Sequence, residues 1–296
     1  MRVVTLLPAA TEIVAALGGA GQLVGISHEC DYPASVQHLP RVTATPIDVR
    51  APGLEIDAAV RRISESGRPV IGIDAVLLRR LAPDLIITQT LCDVCAVSDS
   101  EAHQISATMS PVPRLLALHG RDLTGIWADI RSVGEALELA DDSEELVLGL
   151  QSRLRRLRAR PLPHRQRVVC IEWLEPLYLA GHWTPELVSA AGGEDVGSLP
   201  GRHSARHEWD DVKRLNPDHA LIMLCGFDVD RSREELEALR DAAALAFLAD
   251  VNVSIIDGNA YTSRAGPRIV DGAERIHSAL NHQPARGVEP WLPSLT

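Results

Sequence analysis

Four of the five cysteines stand beside polar or glycine-bearing positions: Cys30 in His28-Glu29-Cys30-Asp31, Cys92 and Cys95 in a CxxC, and Cys225 in Leu224-Cys225-Gly226-Phe227. Cysteine ordinarily fills a core as a small apolar residue. Thiolates drawn from separate segments instead form a soft donor set for a metal or a metal-centred ligand. Cys30, Cys92, Cys95 and Cys225 would make a tetrahedral set for zinc or an all-cysteine set for an iron–sulfur cluster, and His28 or His182 can replace one member. A structural zinc site usually shows two close cysteine pairs and this chain has one, so loop packing stands beside ligation for all four. Cys170 lies inside an apolar run and reads as core. The Cys92/Cys95 pair also carries the alternative reading, a cysteine-based metal-dependent or redox enzyme. A redox CxxC opens a helix whose dipole lowers the thiol pKa, and Asp93 between these cysteines weakens that signal. The sequence offers no Ser-His-Asp order, nucleophile elbow or Walker loop, so no catalytic residue is assigned and binding is the preferred class.

Positioning these residues falls to two runs of alternating elements. In the first, apolar runs at Val3–Leu7, Leu23–Ser27, Val70–Ile73, Leu85–Thr88 and Arg114–Leu118 read as strands. A helix opens at Thr11-Glu12 and ends at Gly18-Gly19, and another covers Val76–Leu81. A long helical stretch runs from Leu123 to Arg160, with Asp141-Asp142-Ser143 as an internal break or new cap. Its basic run Arg153–Arg158 reads as a solvated face over inward Leu154 and Leu157. In the second run, Val168–Glu172, Ala220–Leu224 and Val253–Ile256 read as strands. Pro185–Ala191, Glu234–Ala246 and Gly266–Leu280 read as helices, and the last dozen residues as an irregular tail.

Strands alternating with helices imply an α/β fold with mainly parallel sheets. The organisation read from this is an N-terminal α/β lobe over 1–120, a linker helix over 121–163 and a C-terminal α/β lobe over 164–296. Ligands of such lobes bind beyond the carboxyl ends of the strands. His28, Glu29, Asp31, Tyr32, Gln89, Glu172, Trp173, His182, Trp183 and Phe227 fall there by this reading. Aromatics with a polar edge suit a flat macrocycle or chelate.

The chain has 296 residues, a formal net charge of −11 and a mean hydropathy of +0.02. An acidic surface excludes a general nucleic-acid binder. No run has the roughly 20 apolar residues that a membrane span needs. The amino terminus enters a strand directly, with no basic, apolar and small-residue export pattern. A cytoplasmic location is therefore expected, and in a reducing compartment a disulfide framework is not.

Four motifs in order carry a resemblance: Thr5-Leu-Leu-Pro-Ala-Ala-Thr-Glu12, Asp31-Tyr-Pro33, Leu81-Ala-Pro-Asp-Leu-Ile-Ile87 and Arg264-Ala-Gly-Pro-Arg-Ile269. They resemble the iron-chelate and cobalamin class of ABC-transporter substrate-binding proteins, the class III periplasmic binding proteins. The resemblance implies two α/β lobes joined by one long backbone helix, with a corrinoid or metal chelate held in the inter-lobe cleft. It implies that Tyr32 lines a corrin pocket and that Arg264, with Tyr261 beside it, faces the ligand from the second lobe; Pro8 and Thr11 of the opening motif are further ligand-binding candidates. The closest likeness is to a cytosolic, cobalamin-binding-like subgroup. Docking to a permease is not expected of a chain without an export signal.

Overall fold

The computed structural model describes residues 1–91, 97, 99–160 and 163–291. The chain forms two compact units. One comprises Met1–Ala51, Glu55–Gly120 and Thr124–Gly149; the other comprises Pro52–Leu54, Arg121–Leu123 and Leu150–Thr296.

The first unit contains β1 (Val3–Thr5), α1 (Pro8–Ala16), β2 (Leu23–Gly25), β3 (Thr43–Ala44), α2 (Gly53–Glu65, less its first two residues), β4 (Gly72–Ile73), α3 (Ala75–Leu81), β5 (Leu85–Gln89), α4 (Asp99–Ser106), β6 (Arg114–Leu118) and α5 (Leu123–Ala136, from Thr124). Its main sheet has the order β2-β1-β5-β6, with every pairing parallel. All three residues of β1 and the first four of β5 are buried, as expected of strands covered on both faces. Val4, Leu6, Leu78 and Ile86 meet in one core cluster. Each such side chain contributes about 1.5–3 kcal/mol on burial. Pro8 occupies the start of α1, where its missing N–H costs nothing, and Gly18 at φ 81 terminates the segment. The strand expected at Val70–Ile73 reduces to β4, which pairs antiparallel with β3 outside the main sheet.

The long helical stretch divides, as expected near Asp141-Asp142-Ser143, into α5 and α6 (Ala140–Arg158). The break lies at Leu137–Leu139, where Glu138 takes φ 62, and Asp141 and Asp142 fall in the first turn of α6. Carboxylates there offset the exposed N–H groups and the positive end of the dipole. Gly134 makes the junction: a Cβ on it would stand 2.3 Å from the Ser143 Cβ. The two units divide inside α6, between Gly149 and Leu150. Leu154 and Leu157 are buried as expected. Arg153 is not part of a solvated face, because its guanidinium pairs with Glu274 at 2.8 Å and with Asp271.

The second unit continues with β7 (Arg167–Trp173), β8 (Tyr178–Leu179), α7 (Thr184–Ala190), β9 (Glu194–Asp195), β10 (Ala205–Arg206), α8 (Trp209–Arg214), β11 (His219–Ile222), α9 (Val229–Ala238), α10 (Ala242–Asp250), β12 (Asn252–Ile256), α11 (Gly258–Tyr261), α12 (Ile269–Leu280) and β13 (Val288–Trp291). Its sheet runs β10-β8-β7-β11-β12-β13, with β9 also on β7. β7, β11 and β12 are parallel, while β8 and β13 are antiparallel to their neighbours. The expected helix over Glu234–Ala246 divides into α9 and α10, because Asp241 caps a new helix by accepting the Ala244 N–H. The expected irregular tail contains β13 on the sheet edge, where Pro290 is tolerated. Cys170 is buried in β7 as expected. Among the described residues no helix is long and apolar enough to cross a membrane.

Candidate functional site

At the carboxyl edge of the first sheet, a chain of hydroxyls and one thiol joins β1, α1 and the loop after β2. Thr5 Oγ1 lies 2.6 Å from Thr11 Oγ1, which lies 3.0 Å from Cys30 Sγ. Arg41 fixes that loop by donating from Nη1 to the carbonyls of Ser27 (3.0 Å) and Cys30 (2.5 Å). Thr43 Oγ1 donates to Ser27 Oγ and accepts the His28 backbone N–H. With its proton committed, that hydroxyl can only accept from His28 Nδ1, 2.7 Å away. His28 is thus the Nδ1–H tautomer, and its Nε2 lone pair is covered and bonds no described group. Burial, and secondarily the Arg41 charge, lower the His28 pKa and keep the ring neutral. A neutral imidazole with a fixed tautomer can accept a hydrogen bond or donate to a metal.

Further along the edge, Thr90 Oγ1 and His119 Nδ1 lie 2.5 Å apart after β5 and β6. The His119 and Gly120 N–H groups both donate to the Asp129 carboxylate. Tyr32, in the loop after β2, leaves 47% of its surface exposed.

In the second unit the edge is aromatic and cationic. Trp173, the last residue of β7, stands half-buried with its ring 5.4 Å from that of Phe227 in the loop after β11. Arg231, on the first turns of α9, lies over the Phe227 ring at 5.0 Å. Asp228 caps α9 through the Arg231 N–H, which sets where that guanidinium begins. The backbone ties the two loops, since Cys225 N donates to the Glu172 carbonyl at 3.0 Å and Asn259 N to that of Phe227 at 3.1 Å. Arg264 donates to Asn259 Oδ1 at 2.7 Å and is only 7% exposed. Gly258 permits this arrangement, because a Cβ there would meet the Leu224 carbonyl oxygen at 2.1 Å.

No family model and no curated protein matches this sequence. Solved structures do. A periplasmic heme-binding protein from Pseudomonas aeruginosa superposes with a TM-score of 0.71 at 19% identity, covering 98% of this chain and 95% of its own. The periplasmic heme-binding protein RhuT from Roseiflexus sp. RS-1 gives 0.68 at 20% identity, covering 95% and 98%. The periplasmic vitamin B12-binding protein BtuF of Vibrio cholerae gives 0.65 at 19%, covering 95% and 96%. The fold is that of the class III periplasmic binding proteins.

Within this periplasmic-binding-protein fold the expected site residues separate into groups. Thr11, His28 and Cys30 share the first network, with Pro8 opening the helix that carries Thr11 and Gln89 ending β5. Glu29, Asp31 and Tyr32 are on the outer part of the same loop. Glu172, Trp173, Cys225, Phe227 and Arg264 gather at the second edge. Three others do not join them. β8 turns the chain back, with Ala180 N bonded to the Cys170 carbonyl, so Gly181–Trp183 run toward the amino end of β7. Trp183 is 5% exposed and donates its indole N–H to the Thr262 carbonyl, a core role, and His182 pairs with His203. The Tyr261 ring packs under the Arg275 guanidinium at 4.2 Å and against Gly287.

Of the four proposed thiolate ligands, Cys92 and Cys95 lie outside the described residues. Cys30 is 2% exposed and its sulfur meets Thr11, while Cys225 belongs to the other unit. Among the described residues no group of three or more His, Cys, Asp and Glu is disposed to hold a metal. Sequence reasoning overlooked Arg41, Thr43, His119, Asp129 and Arg231. Isolated residues of these types carry no motif, and only the fold brings them to the edge: Arg41 and Thr43 at or just before β3, His119 after β6, Asp129 on α5 and Arg231 on α9.

Proposed function

We propose that this protein reversibly binds a flat metal-chelate macrocycle, a corrinoid or a heme, as cargo and without chemical conversion. The observation that carries this reading is the Trp173–Phe227 pair with Arg231 at the carboxyl edge of the second sheet. A large planar ligand needs apolar ring surface for its face and a few fixed polar groups for its rim. Arg231, held by Glu235 at 2.6 Å, is such a group, and the exposed Tyr32 with the His28 network gives the first sheet an aromatic and polar edge of its own. Likeness over nearly the whole chain to periplasmic heme-binding and vitamin B12-binding proteins supports the same ligand class. Nothing in the described residues favours the enzyme reading of Cys92 and Cys95.

Titration of the full chain with hemin, aquocobalamin and cobinamide, followed by absorption and tryptophan fluorescence, tests this. Saturable one-to-one binding of one of them, with quenching that is reduced in Trp173→Phe, is expected. Absence of saturable binding by all three overturns the proposal.

A further inference from the structure

His182 and His203 stand away from the aromatic edge, and the fold holds them together. Their backbones are zipped: His182 N donates to the Arg202 carbonyl at 2.6 Å, and Gly201 N donates to the His182 carbonyl at 2.9 Å. Gly181 N donates to Ser204 Oγ at 3.1 Å. The segments approach so closely that a Cβ on Gly181 would stand 2.3 Å from the Arg202 oxygen. His182 itself adopts φ 53, a left-handed conformation that costs a non-glycine residue energy and persists only where surrounding contacts enforce it. All this ordering brings His182 Nε2 to 3.3 Å from His203 Nδ1, with the rings nearly perpendicular at 85°.

We propose that His182 and His203 form a two-imidazole site for a divalent transition-metal ion, zinc being the best fit, with water completing its coordination. Two nitrogens bound to one tetrahedral zinc at about 2.0–2.1 Å stand about 3.3 Å apart. Imidazole is the ligand type that zinc, copper and nickel share, and square-planar geometry at similar bond lengths would draw the nitrogens closer than they stand here. Burial first, and then His203 and the Arg121 charge, lower the His182 pKa. Arg121 opposes a bound cation. Asp122 follows Arg121, and its Oδ2 lies 3.9 Å from where a Cβ on Gly201 would stand. His203 is exposed, so an ion can reach the pair from solvent. The site is independent of the macrocycle reading and of the thiols.

The test uses the full chain carrying Cys92→Ser and Cys95→Ser, so that thiolates do not compete. Equilibrium dialysis against zinc should show one ion bound, and cobalt(II) should give the intense visible bands of tetrahedral coordination. His203→Ala and His182→Asn should each weaken binding at least tenfold and abolish those bands. Asn tolerates the left-handed backbone, and an unchanged melting midpoint in His203→Ala excludes unfolding as the cause. No uptake in the Cys92→Ser/Cys95→Ser chain, or undiminished uptake in either histidine variant, overturns the proposal.

Discussion

Trp173 and Trp183 flank one hairpin and serve opposite ends. Trp173 keeps part of its ring free at the edge of the sheet, so Trp173→Ala should weaken macrocycle binding about tenfold while leaving the urea midpoint nearly unchanged. Trp183 is buried and satisfies the Thr262 carbonyl. Trp183→Ala should cost about 3–5 kcal/mol in urea unfolding, with a cavity and an orphaned acceptor left behind. Two buried titrating residues oppose each other with pH. Burial lowers the His219 pKa from 6.5 to about 4, with His282 adding to the effect. As pH falls through that window the unfolded chain takes the proton first, so about 3 kcal/mol of stability is lost. Asp195 is raised by burial from 3.8 to about 7, against the donors Gly197 N and Ser198 N. Its folded form takes the proton first, so the same fall in pH adds about 4 kcal/mol. The two nearly cancel in the native chain. Asp195→Asn retains an acceptor for both N–H groups and should expose the His219 dependence. Urea unfolding at pH 8, 6 and 4 should show the variant more stable than the parent at pH 8, with the advantage gone at pH 4.

Among the elements, short connections place the site more than the strands do. The loop from β11 to α9 carries Cys225 and Phe227, and it is held by the close passage of Gly258 under Leu224. Gly258→Ala forces a methyl into backbone that cannot move aside. The variant should lose about 1–3 kcal/mol by thermal unfolding, and macrocycle affinity with it, because Phe227 and Arg231 shift together. Asp228→Ala removes the α9 cap and should cost about 1 kcal/mol by the same measurement. Element types followed from local pattern wherever an apolar run was continuous, as in β5, β7 and β11. The break between α5 and α6 was legible in the acidic first turn of α6, whereas the boundary failed where Asp241 reset the chain and started α10. β13 was hidden because Val288–Trp291 has no apolar alternation of its own and is a strand only by pairing with β12.

On the scale of the whole molecule, each unit has its own sheet and core, so calorimetry of the free protein should show two overlapping transitions. A macrocycle bound at the Trp173–Phe227 edge should raise the second unit's transition, by about 2.7 kcal/mol at a hundredfold excess over Kd. An unmoved second-unit transition at that excess would contradict binding there.

The sequence by itself determined the α/β class, the two-unit organisation and the placement of His28, Cys30, Trp173 and Phe227 just beyond strand ends, because these depend on local periodicity and on the direction of parallel strands. Only the tertiary structure decided which of those side chains meet. Trp183 went to the core because a hairpin reversed the chain before it. Cys30 became a partner of Thr11, through the register of β1 against β2. His182 found His203 across a backbone contact that a lone glycine makes possible. Such outcomes rest on register and close approach between segments distant in sequence, and no local pattern encodes them.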